Sequence, residues 1–71
     1  MKPVANIVEI FRKSRGYEPR RVRAEKLGIS KSLLDKIERG VTPPSVKVLA
    51  QQALIDGKPL DFYFAKSDHE T

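Results

Sequence analysis

Cysteine is absent from this chain and histidine occurs only once, so neither a disulfide nor a Cys/His metal cluster is available to hold it together. Also missing is any apolar run close to the roughly 18 residues needed to cross a bilayer. The start, Met1-Lys2-Pro3-Val4, passes straight into a mixed polar and apolar pattern and lacks the unbroken apolar stretch of a signal peptide, so the expected location is the cytoplasm. The four glycines are scattered as helix stops and form no phosphate-cradling loop, and there is no internal repeat or low-complexity segment. The 71 residues suffice for one domain, which at this size buries only roughly 60% of the surface its unfolded chain exposes. Regular helix packing and self-association are the remaining sources of stability.

The net charge of +5 points to an acidic partner, either nucleic acid or a membrane surface. Its distribution is more telling. From Arg12 to Arg39 there are ten Lys or Arg against four Asp or Glu, whereas the rest of the chain has four against five. All of the positive excess therefore lies in the middle of the sequence.

Apolar spacing predicts an all-α domain. Val4, Ile7, Val8 and Phe11 repeat at i, i+3, i+4 and i+7, and Gly16 ends that first helix. Glu18-Pro19 opens a short second helix that runs to about Leu27, with proline expected at its first position. Gly28 can take the positive φ of a sharp turn, Ile29 fills the corner, and Ser30 caps a third helix running from about 30 to 39. In that helix Leu33, Leu34 and Ile37 face inward, while Ser32, Asp35, Lys36 and Arg39 lie on the opposite side and Lys31 sits at the exposed start. After Gly40 and the Thr42-Pro43-Pro44-Ser45 turn, Val46, Leu49, Ala50 and Ala53 predict a fourth helix, broken at Asp56-Gly57-Lys58-Pro59. Leu60, Phe62, Tyr63 and Phe64 are too short a run to separate helix from strand, and residues 66–71 read as a flexible polar tail after a domain spanning residues 1–65.

Two helices joined by a tight glycine turn are common and most bind nothing. Here, however, Ala24 lies four residues before Gly28, where a small side chain permits close helix crossing, and Leu27, Ile29, Leu34 and Ile37 occupy the positions that must be buried. Gly28-Ile29-Ser30, followed by Ile37-Glu38-Arg39-Gly40 and then Pro43-Pro44-Ser45, resembles the Cro/repressor-type helix-turn-helix family, also called XRE-like. The resemblance extends from about Val8 to Phe64. It implies a lambda-repressor-like domain of four to five helices that binds double-stranded DNA as a dimer on a palindromic operator and regulates transcription, most simply as a repressor.

The same resemblance assigns roles. Lys31, Ser32, Leu33 and Lys36 fall nearest the bases, and Arg20, Arg21, Arg39, Thr42 and Lys47 fall where phosphates run. Arg12, four residues before Gly16, is matched to a structural salt bridge with Glu38. The sequence departs from the family at Arg23, which stands where a leucine is usual. Val22 turning into the core, with the Arg23 charge left in water, is the expected compensation. Asp35 can accept from cytosine N4 or pair with Arg39 at i+4, and the pairing is favoured.

Other chemistry finds little support. Glu25, Asp35 and Glu38 share a region but sit among basic residues with no nucleophile beside them, so no catalysis is expected. His69 stands alone in the tail, and neither a metal nor a cofactor is expected. Phe62, Tyr63 and Phe64 either close the core of a monomer, form a dimer interface, or do both. Two rival readings remain at the sequence level. One is an antitoxin that binds a protein toxin as well as DNA. The other is a helix-turn-helix that mediates only protein contacts, against which stand the exposed Lys31, Lys36 and Arg39.

Overall fold

Four α-helices and one turn of 3-10 helix account for residues 2–65, the part of the chain described by the computed structural model. The helices are α1 (Ile7–Arg15), α2 (Arg20–Leu27), α3 (Lys31–Glu38) and α4 (Val46–Asp56), followed by the 3-10 turn Leu60–Tyr63. The expected tail at 66–71, with His69, lies outside the described residues. This is the all-α arrangement that the spacing predicts, in the helix order that the family resemblance implies.

The apolar stripe of α1 packs inward as expected, with Ile7 and Phe11 buried and Val4 and Val8 packed against the core. The helix nevertheless begins at Ile7, because Ala5-Asn6 form a turn in which the Ile7 N–H donates to the Val4 carbonyl at 3.1 Å, and the residues before it pair with the far end of the domain. The Val4 N–H donates to the Tyr63 carbonyl at 2.9 Å, and the Ala65 N–H donates to the Lys2 carbonyl at 2.9 Å. Together with an isolated antiparallel bridge between Pro3 and Phe64, these contacts tie the two ends of the domain together. They also resolve the helix-or-strand question: residues 60–63 are 3-10 helix and Phe64 is extended.

Pro19 is the N-cap of α2 and not its first residue; its carbonyl accepts from the N–H groups of Val22 and Arg23. Gly28, at φ +73°, lets the Ile29 N–H turn back to the Ala24 carbonyl, which satisfies the end of α2 and launches the turn into α3. The Oγ atoms of Ser30 and Ser45 accept from the N–H groups of Leu33 and Val48, capping α3 and α4; each such cap contributes about 1 kcal/mol.

Two expectations about packing are corrected. On α4 the buried residues are Val48, Leu49, Gln52 and Ala53, while Val46 is exposed, so the inward face is rotated from the one that apolar spacing selects. The rotation brings Gln52 into the interior. On α2, Val22 is only half-buried and stands outside the core cluster, whereas Arg23 is 5% exposed. The Arg23 charge is not in water. Its Nε–H donates to Glu18 at 2.7 Å, and Nη1 and Nη2 donate to the Ser14 hydroxyl and carbonyl at 2.9 and 3.1 Å. A buried guanidinium needs such partners, and the turn before α2 supplies the carboxylate.

Those contacts belong to a polar network crossing the interior. Asp56, at the end of α4, accepts from the Ser14 hydroxyl at 2.6 Å, Gln52 Nε2 at 2.9 Å and the Tyr63 hydroxyl at 2.6 Å. Gln52 Nε2 also donates to Ser14 Oγ at 2.8 Å. Burial pushes the Asp56 carboxyl upward, but the three hydrogen bonds and the Arg23 charge outweigh it and hold the group below the ordinary aspartate range. Burial and the adjacent Asp56 charge push the Tyr63 phenol far above its usual value, so it stays a donor.

Because the folded-state pKa of Asp56 is depressed, its contribution to stability is present above the unfolded value near 4 and is lost as pH falls through the folded value. Tyr63→Phe keeps the buried ring but removes one donor, and is expected to cost about 1–2 kcal/mol near pH 7. Urea titrations should show that cost shrinking in acid, where the protonated Asp56 no longer needs the donor.

Candidate nucleic-acid interface

The third helix is fixed from below and open above. Leu34 and Ile37 are fully buried, Leu33 is half-buried against the core, and Lys31, Ser32, Lys36 and Arg39 are exposed. Eight residues are too few to hold a helix by themselves, so the orientation of α3 depends on tertiary contacts.

One of these contacts is ionic. The Glu38 carboxylate, with its side chain 2% exposed, accepts two parallel hydrogen bonds from Arg15: Nε to Oε2 at 2.7 Å and Nη2 to Oε1 at 2.9 Å. Arg20 adds a third through Nε at 3.1 Å. One carboxylate thus joins the last turn of α1, the first residue of α2 and the end of α3. Arg15 also donates from Nη1 to the Glu18 carbonyl at 2.8 Å, and its bond to Glu38 raises its pKa despite burial.

This corrects the expected pair between Arg12 and Glu38. Arg15 lies four residues after the buried Phe11 and so shares its inward face, whereas Arg12 is turned about 100° from Phe11 and is exposed. Arg12 makes no ion pair among the described residues. The i, i+4 relation to Phe11 was the available signal for Arg15.

Arg20 is accordingly a half-exposed bridge. Its Nη1 also approaches Asp35 at 3.9 Å, and Asp35 in turn accepts from Arg39 at 3.4 Å. The favoured pairing of Asp35 with Arg39 is therefore present, as a long, exposed contact of small energetic weight. Arg21 and Lys47 are exposed, and Thr42 is half-buried with its N–H directed to the Lys36 carbonyl at 3.3 Å.

The aromatic cluster divides. Tyr63 and Phe64 are buried in the monomer's own core, which removes them from the expected dimer interface as folded. Only Phe62 remains partly exposed, at 46%, its ring edge-on to Tyr63 and beneath the Lys58 ammonium at 5.0 Å. Among the described residues no three His, Cys, Asp or Glu side chains converge as metal ligands would, and no helix is long and apolar enough to cross a membrane.

The turn geometry at Gly28, the Ser30 cap and the exposed outer face of α3 define a helix-turn-helix protein, and the chain belongs to that family, whose model matches residues 10–63. Among individual proteins it is similar to the HTH-type transcriptional regulator SlrR of Bacillus subtilis (strain 168), with 47% identity over 47 residues. The match covers 65% of this chain and 30% of the relative, so the likeness concerns one part of a longer protein. No solved structure matches the chain significantly.

The geometry orders two substitutions. Arg15→Ala leaves Glu38 buried with only Arg20 to serve it and should lower stability by roughly 3 kcal/mol, whereas Arg12→Ala should change it by less than about 0.5 kcal/mol. Thermal or urea unfolding of the two variants checks the order. Equal losses would return Arg12 to the structural role.

Proposed function

We propose that this chain binds double-stranded DNA sequence-specifically and regulates transcription, acting as a repressor, with α3 in the major groove and α2 crossing the backbone. One observation carries this reading. The inward side of α3 is locked by the core and by Glu38, while Lys31, Ser32 and Lys36 stand exposed on its outward side. Lysine donates to guanine O6 and N7, and serine donates or accepts at several bases; the exposed edge of Leu33 suits a thymine methyl. Arg21, Arg39, Thr42 and Lys47 then serve phosphates, which position the protein without reading sequence. Arg20 contributes differently: Glu38 already holds its guanidinium, so a phosphate contact there immobilises little that was free. That the relative SlrR is a transcriptional regulator supports the same reading.

A single helix in one groove reads too few base pairs for a specific site, which favours a homodimer with half-sites about 34–36 Å apart. With Tyr63 and Phe64 committed to the core, Phe62 is the member of that cluster left to meet a second copy.

In vitro selection from a random pool is expected to enrich a palindrome. Lys36→Ala should weaken binding to the enriched site by about tenfold and relax the preference at one base pair. Arg21→Ala, which disturbs no ion pair among the described residues, should weaken selected and random DNA alike and lower the salt slope by about one. Phe62→Ala should shift sedimentation of the free protein toward the monomer and leave its helix content unchanged. A pool with no enriched sequence would overturn the base-reading assignment.

A further inference from the structure

Tyr17 is the anomaly of the surface. It is 105% exposed, as open as an isolated residue, and its hydroxyl makes no hydrogen bond among the described residues. An aromatic ring left wholly in water gains nothing for folding. Yet the backbone on both sides of it is fixed. Gly16, at φ +55°, donates its N–H to the Arg12 carbonyl at 3.1 Å, and the Glu18 N–H donates to the Arg15 carbonyl at 2.9 Å. The Glu18 carbonyl accepts from Arg15 Nη1 at 2.8 Å, and its carboxylate is gripped by Lys26 and Arg23, whose hydrogen bonds hold it below the ordinary glutamate range. The turn is clamped through its neighbours, and the phenol alone is left free.

Its position narrows the use. Tyr17 lies two residues ahead of Pro19, the cap of α2, and next in the chain come Arg20 and Arg21. The exposed Arg12 and Lys13 precede it. The anion that these cations attract would pass close to a neutral donor on a rigid mount. Phenol hydroxyls are among the side-chain donors that serve phosphate oxygens, and a tyrosine loses only two torsions when it is immobilised.

We infer that the Tyr17 hydroxyl donates to a backbone phosphate oxygen of bound DNA, adding a neutral contact beside the charged ones made at the start of α2. This rests on the DNA-binding reading above. The contact is uncharged, so it contributes affinity without releasing a counterion. That separates it from every lysine and arginine contact.

The experiment compares wild type, Tyr17→Phe and Tyr17→Ala on the enriched duplex and on a random duplex, by fluorescence anisotropy across a salt series. Because the side chain supports nothing in the fold, both variants should melt as wild type does. Tyr17→Phe should weaken both duplexes by about five- to tenfold while the dependence of log K on log salt keeps its slope. Unchanged affinity of Tyr17→Phe on both duplexes, with wild type binding normally, would overturn the assignment and leave the DNA reading intact. Loss on the enriched duplex alone would overturn it too, because a phosphate contact cannot tell sequences apart. Wild type that binds neither duplex would instead remove the underlying reading.

Discussion

A single buried carboxylate organises this domain. Glu38 takes three hydrogen bonds from two guanidiniums, and its partners come from the end of α1 and the start of α2 while it sits itself at the end of α3. A charge with 2% of its side chain exposed is tolerable only when so fully satisfied, and the arrangement holds in one geometry because the paired Arg15 contacts are directional. The three helices of the motif are thereby locked against one another at the end away from the Gly28 turn. Nonpolar packing at Leu34 and Ile37 provides adhesion, and the ion pairs set the angle.

A second polar assembly, linked to the first through Glu18, does similar work around Asp56. Asp56 gathers donors from α1, α4 and the 3-10 turn, and Arg23 joins through Ser14 while being neutralised by Glu18. A small domain without disulfides has little apolar area to spare, and each of these groups would be costly if left unpaired. The network also determines which residues remain outside. With Arg23 drawn in by this network and Arg15 and part of Arg20 by Glu38, Arg12, Arg21, Lys31, Lys36 and Lys47 are among the cations of the described residues that stay exposed and in no ion pair. Cations committed to structure and cations open to a polyanion thus separate, with Arg20 and Arg39 in both groups, in a chain whose composition does not distinguish them.

The proposed reading surface depends on that division. A short helix can present side chains to a groove only if it is rigid without its ligand, and α3 obtains this from a side-chain cap at Ser30, a buried stripe in the middle and Glu38 at the end. The turn carrying Tyr17 is similarly stiff, with Glu18 and Arg15 clamping it from both sides. Rigid mounts carrying unpartnered polar groups are what a low-entropy binding surface requires.

Local chemistry was legible from the sequence alone: four helices, their glycine and proline boundaries, the serine cap of α3, and the apolar stripes of α1 and α3. Each of these follows from spacing or from the backbone preference of one residue, and spacing acts within a few residues of chain. Membership in the helix-turn-helix family was legible for the same reason, since Gly28-Ile29-Ser30 and Ile37-Glu38-Arg39-Gly40 are local signatures. What only the tertiary structure decided was where charge and polarity are buried. Arg15 in place of Arg12 at Glu38, Arg23 inside the protein, Gln52 and Asp56 at the centre of α4's contacts, and Tyr63 and Phe64 in the core all depend on partners distant in sequence. Polar side chains read as surface until a partner is found for them, and the partner is a property of the fold.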